Sequence, residues 1–210
     1  MDQKAFYNLS YGVFILGTKS GEKINACITN TCFQAAVNPA RIAISVISQN
    51  LTCQMIKESG VFALSVLDKT CTFDTISRFG YASGRDTDKF KDFDYSIGKN
   101  GCPVVKKQVC SVLECKVVQA VDLGSHTLFV AEVTEAEVTS SSSPLTYADY
   151  QENVKPKKGG ASESADNHKK IVGWRCKICG YEVDGEELAA DYECPICGHP
   201  ADDFEPIYEK

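Results

Sequence analysis

The sequence has no excess of basic residues: 22 Lys and Arg stand against 28 Asp and Glu, a formal charge of -6. A chain of that balance is not built to bind nucleic acid or an anionic membrane surface in bulk. It also lacks any apolar run near the roughly 18 residues of a membrane helix. The longest near the start covers residues 13–16, and no basic, apolar, small-residue leader precedes it. These absences predict a cytoplasmic protein. No Gly-x-Gly-x-x-Gly follows a strand and no Gly-x-x-x-x-Gly-Lys-Ser/Thr occurs, so neither a Rossmann dinucleotide site nor a P-loop is supported. Nor is the cysteine count even. Eleven cysteines without a leader argue for reduced thiols rather than a disulfide scaffold.

What is present divides the chain in two. With 43% apolar and 24% charged residues it can bury an ordinary globular core. Seven cysteines are scattered at 27, 32, 53, 71, 102, 110 and 115, whereas four cluster at 176, 179, 194 and 197. Charge follows the same division: residues 1–170 carry 19 basic against 18 acidic side chains, and residues 171–210 carry 3 against 10. Residues 155–170, small, polar and charged without an apolar period, read as a flexible linker with a root-mean-square reach of about 20–25 Å. The expected organisation is a body at 1–154, the linker at 155–170 and an acidic module at 171–210. In the body, apolar and partly alternating runs predict strands at 11–17, 24–29, 41–47, 61–67, 109–121 and 126–138, with helices at 52–59 and 73–79. Six strands with few helices favour a mainly β, antiparallel barrel. The seven body cysteines lie mostly in those apolar runs and serve as small hydrophobes.

The acidic module reads Cys176-Lys-Ile-Cys179-Gly-Tyr and Cys194-Pro-Ile-Cys197-Gly. Two such pairs place four thiolates around one tetrahedral centre, and the glycines let the backbone curl beneath the sulfurs. Spacing alone leaves iron and zinc both open. Trp174, Tyr181, Tyr192, Phe204 and Tyr208 add an aromatic shell, and Pro195 follows the third cysteine. On these residues the module resembles rubredoxin, in the abbreviated form attached to rubrerythrins, since only 14 residues separate the inner cysteines. The resemblance implies one iron held by Cys176, Cys179, Cys194 and Cys197.

Hydroxyl and amide side chains concentrate at Asn25-Ala-Cys-Ile-Thr29-Asn30-Thr31 and at Ser45-Val-Ile-Ser48-Gln-Asn50-Leu-Thr52, the second entering a helix. Helix caps and strand ends use the same residues, but such a helix start can also hold a phosphate. These segments, with Phe79-Gly-Tyr-Ala-Ser-Gly-Arg-Asp86, Asp88-Lys89-Phe90 and Gly124-Ser125-His126, occur in the order of the flavin reductase-like, FMN-binding split-barrel family, which residues 7–152 resemble. That resemblance implies that Asn25, Thr29, Asn30 and Thr31 line the flavin ring and ribityl chain. It further implies that Ser48, Asn50, Thr52 and Lys89 hold the phosphate, and that His126 lies near the isoalloxazine as the catalytic candidate. The family often has Gly-Asp-His where this chain has Gly-Ser-His. It also implies a homodimer in which each FMN pocket is completed by the second chain.

Taken whole, the chain resembles fusions of a flavin reductase-like domain with a C-terminal rubredoxin. That implies an oxidoreductase carrying electrons from NADH or NADPH through FMN and iron to a flavodiiron protein that reduces nitric oxide or oxygen. Two other functions stay open on the residues: a flavin reductase that releases reduced flavin beside a structural zinc ribbon, and a carrier without NAD(P)H activity.

Overall fold

The structure is a computed structural model that describes residues 3–156, 171–178, 180–196 and 198–209. It divides into two compact units, residues 1–155 and 156–210. Most of the expected linker, from 157 to 170, lies outside the described residues. Among those residues no helix is long and apolar enough to cross a membrane.

The body is built on β1 (Phe14–Ser20), β2 (Lys23–Thr29), β3 (Cys32–Ala36), β4 (Arg41–Ile47), α1 (Leu51–Ser59), β5 (Val61–Leu67) and α2 (Phe73–Gly80), followed by a short β6 (Ser96–Ile97) and β7 (Pro103–Val104). A long hairpin, β8 (Val109–Asp122) and β9 (His126–Val138), completes it. Seven strands form one sheet in the order β2-β1-β5-β8-β9-β4-β3, with every pairing antiparallel.

Successive side chains on a strand face opposite ways, and both faces of this sheet are covered. Val13 and Ile15 enter a core with Ile76, Phe79 and Phe90, while Phe14 and Leu16 enter another with Ile44, Ile56, Phe62 and Phe129. The second core joins side chains from β1 and β2, near one edge of the sheet, to side chains of β4, next to the other edge. The sheet therefore curls around this core, and Cys53 and Ile56 of α1 close it. Curling brings the ends of β2 and β4 to the start of α1.

In the tail, β10 (Ile171–Cys176) lies between β11 (Glu182–Asp184) and β12 (Phe204–Tyr208). Its described buried hydrophobic residues are Cys176, Cys194 and Phe204, around which Trp174, Tyr181 and Tyr192 pack. Two of those three are cysteines, so the interior of this small module is largely its own candidate metal site. A core of that size does not sustain folding without a staple.

Six expected strands and two helices occur as regular elements, with one shift: the strand expected at 11–17 runs from Phe14 to Ser20. β3 was not expected. It is short, exposed along most of its length and carries no period-two apolar pattern.

Candidate functional site

β2 delivers the first set of side chains. Asn25 faces inward, and its Nδ2 donates to Thr52 Oγ1 at 2.9 Å in a buried contact. Thr52 lies in the first turn of α1. At the end of β2, Thr29 Oγ1 donates to Ser45 O at 3.4 Å, Thr31 Oγ1 donates to Asn30 Oδ1 at 3.0 Å, and Ser45 N donates to Thr31 O at 3.2 Å. The loop at 30–31 is thereby fixed beside β4.

The second set surrounds the entry to α1. Ser48 N donates to Ser125 O at 2.9 Å, and the Ser48 and Thr127 hydroxyls share a bond of 3.1 Å. Asn50 occupies the N-cap position with extended backbone but makes no side-chain capping bond, so the first amides of α1 have no side-chain acceptor. His126 begins β9 opposite Ile47 and is half-buried. Burial alone lowers its pKa. Asn25 and Thr52 are thus bonded to each other, Thr29 and Thr31 to Ser45 of β4, and Ser48 and His126 to Ser125.

Lys89, the last of the phosphate candidates, binds backbone carbonyls. It is buried, and its Nζ donates to Ala26 O at 3.0 Å and Phe79 O at 2.9 Å. Burial lowers this ammonium, against a raising pull from Cys27. The cation that reaches the start of α1 is Arg85, to which the sequence reading assigned no role. Its Nη2 donates to Gln49 O at 3.1 Å and to Gln54 Oε1 at 3.0 Å. It has no carboxylate in ion-pair reach among the described residues. Nothing in the local sequence signals this, because the contact spans 31 to 36 positions. Gly84 helps to seat the loop: a Cβ there would collide with Asn25 Oδ1. The donor set fits a flavin mononucleotide. Amides and hydroxyls suit a polar heterocycle and ribityl chain, while uncapped helix amides and a guanidinium suit a phosphate.

In the tail, two knuckles have the same backbone bonding. Cys176 N donates to Tyr181 O and Gly180 N to Cys176 O, each at 2.8 Å; Cys194 N donates to His199 O and Gly198 N to Cys194 O, also at 2.8 Å. Gly180 and Gly198 hold φ of 78° and 69°, a region that side chains with Cβ rarely adopt. Both turns thus present buried sulfurs, and Tyr192 and Phe204 pack edge to face at 5.4 Å beside them. Cys179 and Cys197 lie outside the described residues. A buried cysteine at the head of each matched turn fits a tetrathiolate metal.

Known proteins agree with this division. The family model for the flavin reductase like domain matches residues 6–154, and that for the rubrerythrin, rubredoxin-like domain matches 174–205. The chain is 41% identical over 150 residues to a ferric-chelate reductase (NAD(P)H) of Archaeoglobus fulgidus, covering 71% of this chain and 89% of that relative. It is 34% identical over 194 residues to the high molecular weight rubredoxin of Moorella thermoacetica, covering 88% of this chain and 83% of that relative. Among solved structures, the NADH:FAD oxidoreductase of Streptomyces globisporus C-1027 shares the fold with a TM-score of 0.62 to 0.63 at 19% to 21% identity, covering 69% to 78% of this chain and 85% to 93% of the other. The chain therefore belongs to the flavin reductase-like family and, joined to its rubredoxin-like domain, is a flavoprotein oxidoreductase of the high molecular weight rubredoxin type.

Proposed function

We propose that this chain takes electrons from NADH or NADPH onto FMN in its body and passes them, one at a time, through an Fe(Cys)4 centre in its tail to a flavodiiron-type nitric oxide or oxygen reductase. The observation that carries this reading is the presence, on one chain, of a flavin reductase-like body and a pair of rubredoxin-like cysteine knuckles. The names of the relatives point the same way: one is a reductase using NAD(P)H and another a rubredoxin. FMN, when bound, accepts a hydride and can release its electrons singly, which matches an iron that takes one.

The residues divide the work. Asn25 and Thr29–Thr31 orient the heterocycle; Ser48, Asn50, Thr52 and Arg85 hold the phosphate; Lys89 braces β2 from within. His126 is the catalytic candidate beside the isoalloxazine. Cys176, Cys179, Cys194 and Cys197 hold iron. The tail's 3 basic against 10 acidic residues suit brief docking on a basic patch of the acceptor.

A homodimer completes the proposal. Edge strand β3 exposes Phe33 at 56%, and Val37 beyond it is 81% exposed, apolar surface that a second copy would cover. Seven free thiols in the body, most of them buried, suit a reducing cytoplasm. The test is removal of residues 171–210. The remaining body should keep NADH oxidation with small artificial acceptors and lose delivery to a flavodiiron partner; equal partner-linked rates with and without the tail would defeat the proposal.

A further inference from the structure

The turn between β8 and β9 holds a contact that the flavin and metal sites leave unexplained. Ser125 Oγ lies 2.9 Å from His126 Nδ1. The turn itself is well tied: Gly124 N donates to Asp122 Oδ1 at 2.8 Å, Leu123 N to His126 O at 2.9 Å, and Ser48 N to Ser125 O at 2.9 Å. The serine is thereby held beside the ring by backbone bonds from two sides.

We propose that Ser125 is the positioning residue for His126: its hydroxyl donates to Nδ1 and fixes the imidazole in the neutral form with the proton on Nε2. Acceptor strength sets the polarity. An imidazole nitrogen is a far stronger base than a hydroxyl oxygen, so O–H···N is favoured over N–H···O. Both ring nitrogens are then assigned, one accepting and the other free to donate. A carboxylate at position 125 would reverse the arrangement, since it can only accept; it would take N–H from Nδ1 and favour the charged ring.

The surroundings agree. Asp122, on the same hairpin, has an oxygen engaged by Gly124 N, and Arg85, from the loop before Lys89, engages Gln49 O and Gln54. β4 presents Ile47 opposite the histidine. No charged group of these elements shifts the ring, and partial burial lowers its affinity for a proton. On the function proposed above, on which the purpose of this arrangement rests, His126 offers the pyridine nucleotide an N–H donor rather than an acid.

The experiment is nitrogen NMR of histidine-labelled, FMN-loaded full chain, repeated without flavin, with His126→Gln identifying the signal. The native ring should show the Nε2–H form and titrate below its ordinary value of 6.5. Ser125→Thr should keep that signature, Ser125→Ala should release it to a mixture, and Ser125→Asp should convert it to Nδ1–H with a raised midpoint. Ser125→Ala should also raise the KM for NADH about three- to tenfold with kcat changed less, the scale of one hydrogen bond. A native Nδ1–H ring, or a Ser125→Ala spectrum identical to native, overturns the proposal. Absence of NADH oxidation in the native chain would overturn the function reading alone, because the NMR result decides Ser125 either way.

Discussion

At the scale of single residues, the buried contact between Asn25 and Thr52 links β2 to α1, and on the proposed function it would couple folding to cofactor binding. Thr52→Ala removes the acceptor of a buried amide, so it should destabilise the body by about 1–2 kcal/mol and weaken FMN binding by a similar amount. Urea melts and flavin titration measure the two losses separately, and the tail's metal spectrum should not change, because that module folds around its own metal. The cations should separate by ligand. Arg85→Gln should weaken FMN several-fold more than riboflavin, which lacks the phosphate, whereas Lys89→Met should affect both alike, its ammonium being bound to Ala26 O and Phe79 O. The body thiols make a third case. Burial pushes Cys32, Cys71 and Cys102 each from 9.0 up to about 12. A folded thiol that keeps its proton longer than the unfolded one contributes stability that is complete below pH 9 and lost as pH climbs toward 12. Denaturation midpoints should therefore fall through that alkaline window, and thiol reagents at neutral pH should find these three slow.

At the scale of elements, what was legible in the sequence follows from burial. Arg41–Ile47, Val61–Leu67 and the first halves of β8 and β9 are apolar or alternating because the sheet buries one or both of their faces, and that pattern survives in a linear reading. Cys32–Ala36 is an edge strand with exposed side chains, so its partner β4, and not its own pattern, makes it a strand. The polar clusters of the candidate site were legible as clusters. Asn25, Thr29–Thr31 and Ser48–Thr52 form polar clusters in sequence, and the fold brings the clusters together. Arg85 was not, because its approach to α1 depends on how the 81–88 loop lies across β2, with Gly84 against Asn25. The exposed edge yields a test of its own. Phe33→Asp should shift the protein from dimer to monomer in light scattering and loosen FMN with it; a native chain that is already monomeric would dismiss the shared pocket.

At the scale of the whole molecule, two small units divide chemistry that neither could perform alone. The body supplies a hydrogen-bonding site that carries the Arg85 guanidinium and no dinucleotide fold, and the tail supplies cysteines that make up most of its described buried hydrophobic interior. Cys179→Ser should disturb the iron spectrum yet leave flavin reduction by NADH intact, whereas Thr52→Ala should do the reverse. The most direct test of the joint account is an anaerobic NADH titration of the full chain, following flavin and ferric-thiolate absorbance together. With two electrons taken at the flavin and one at the iron, both bands should bleach, and three molecules of NADH should be consumed for every two chains. A flavin that bleaches while the tail metal keeps its oxidised spectrum, or a tail that carries zinc from iron-replete cells, would contradict it.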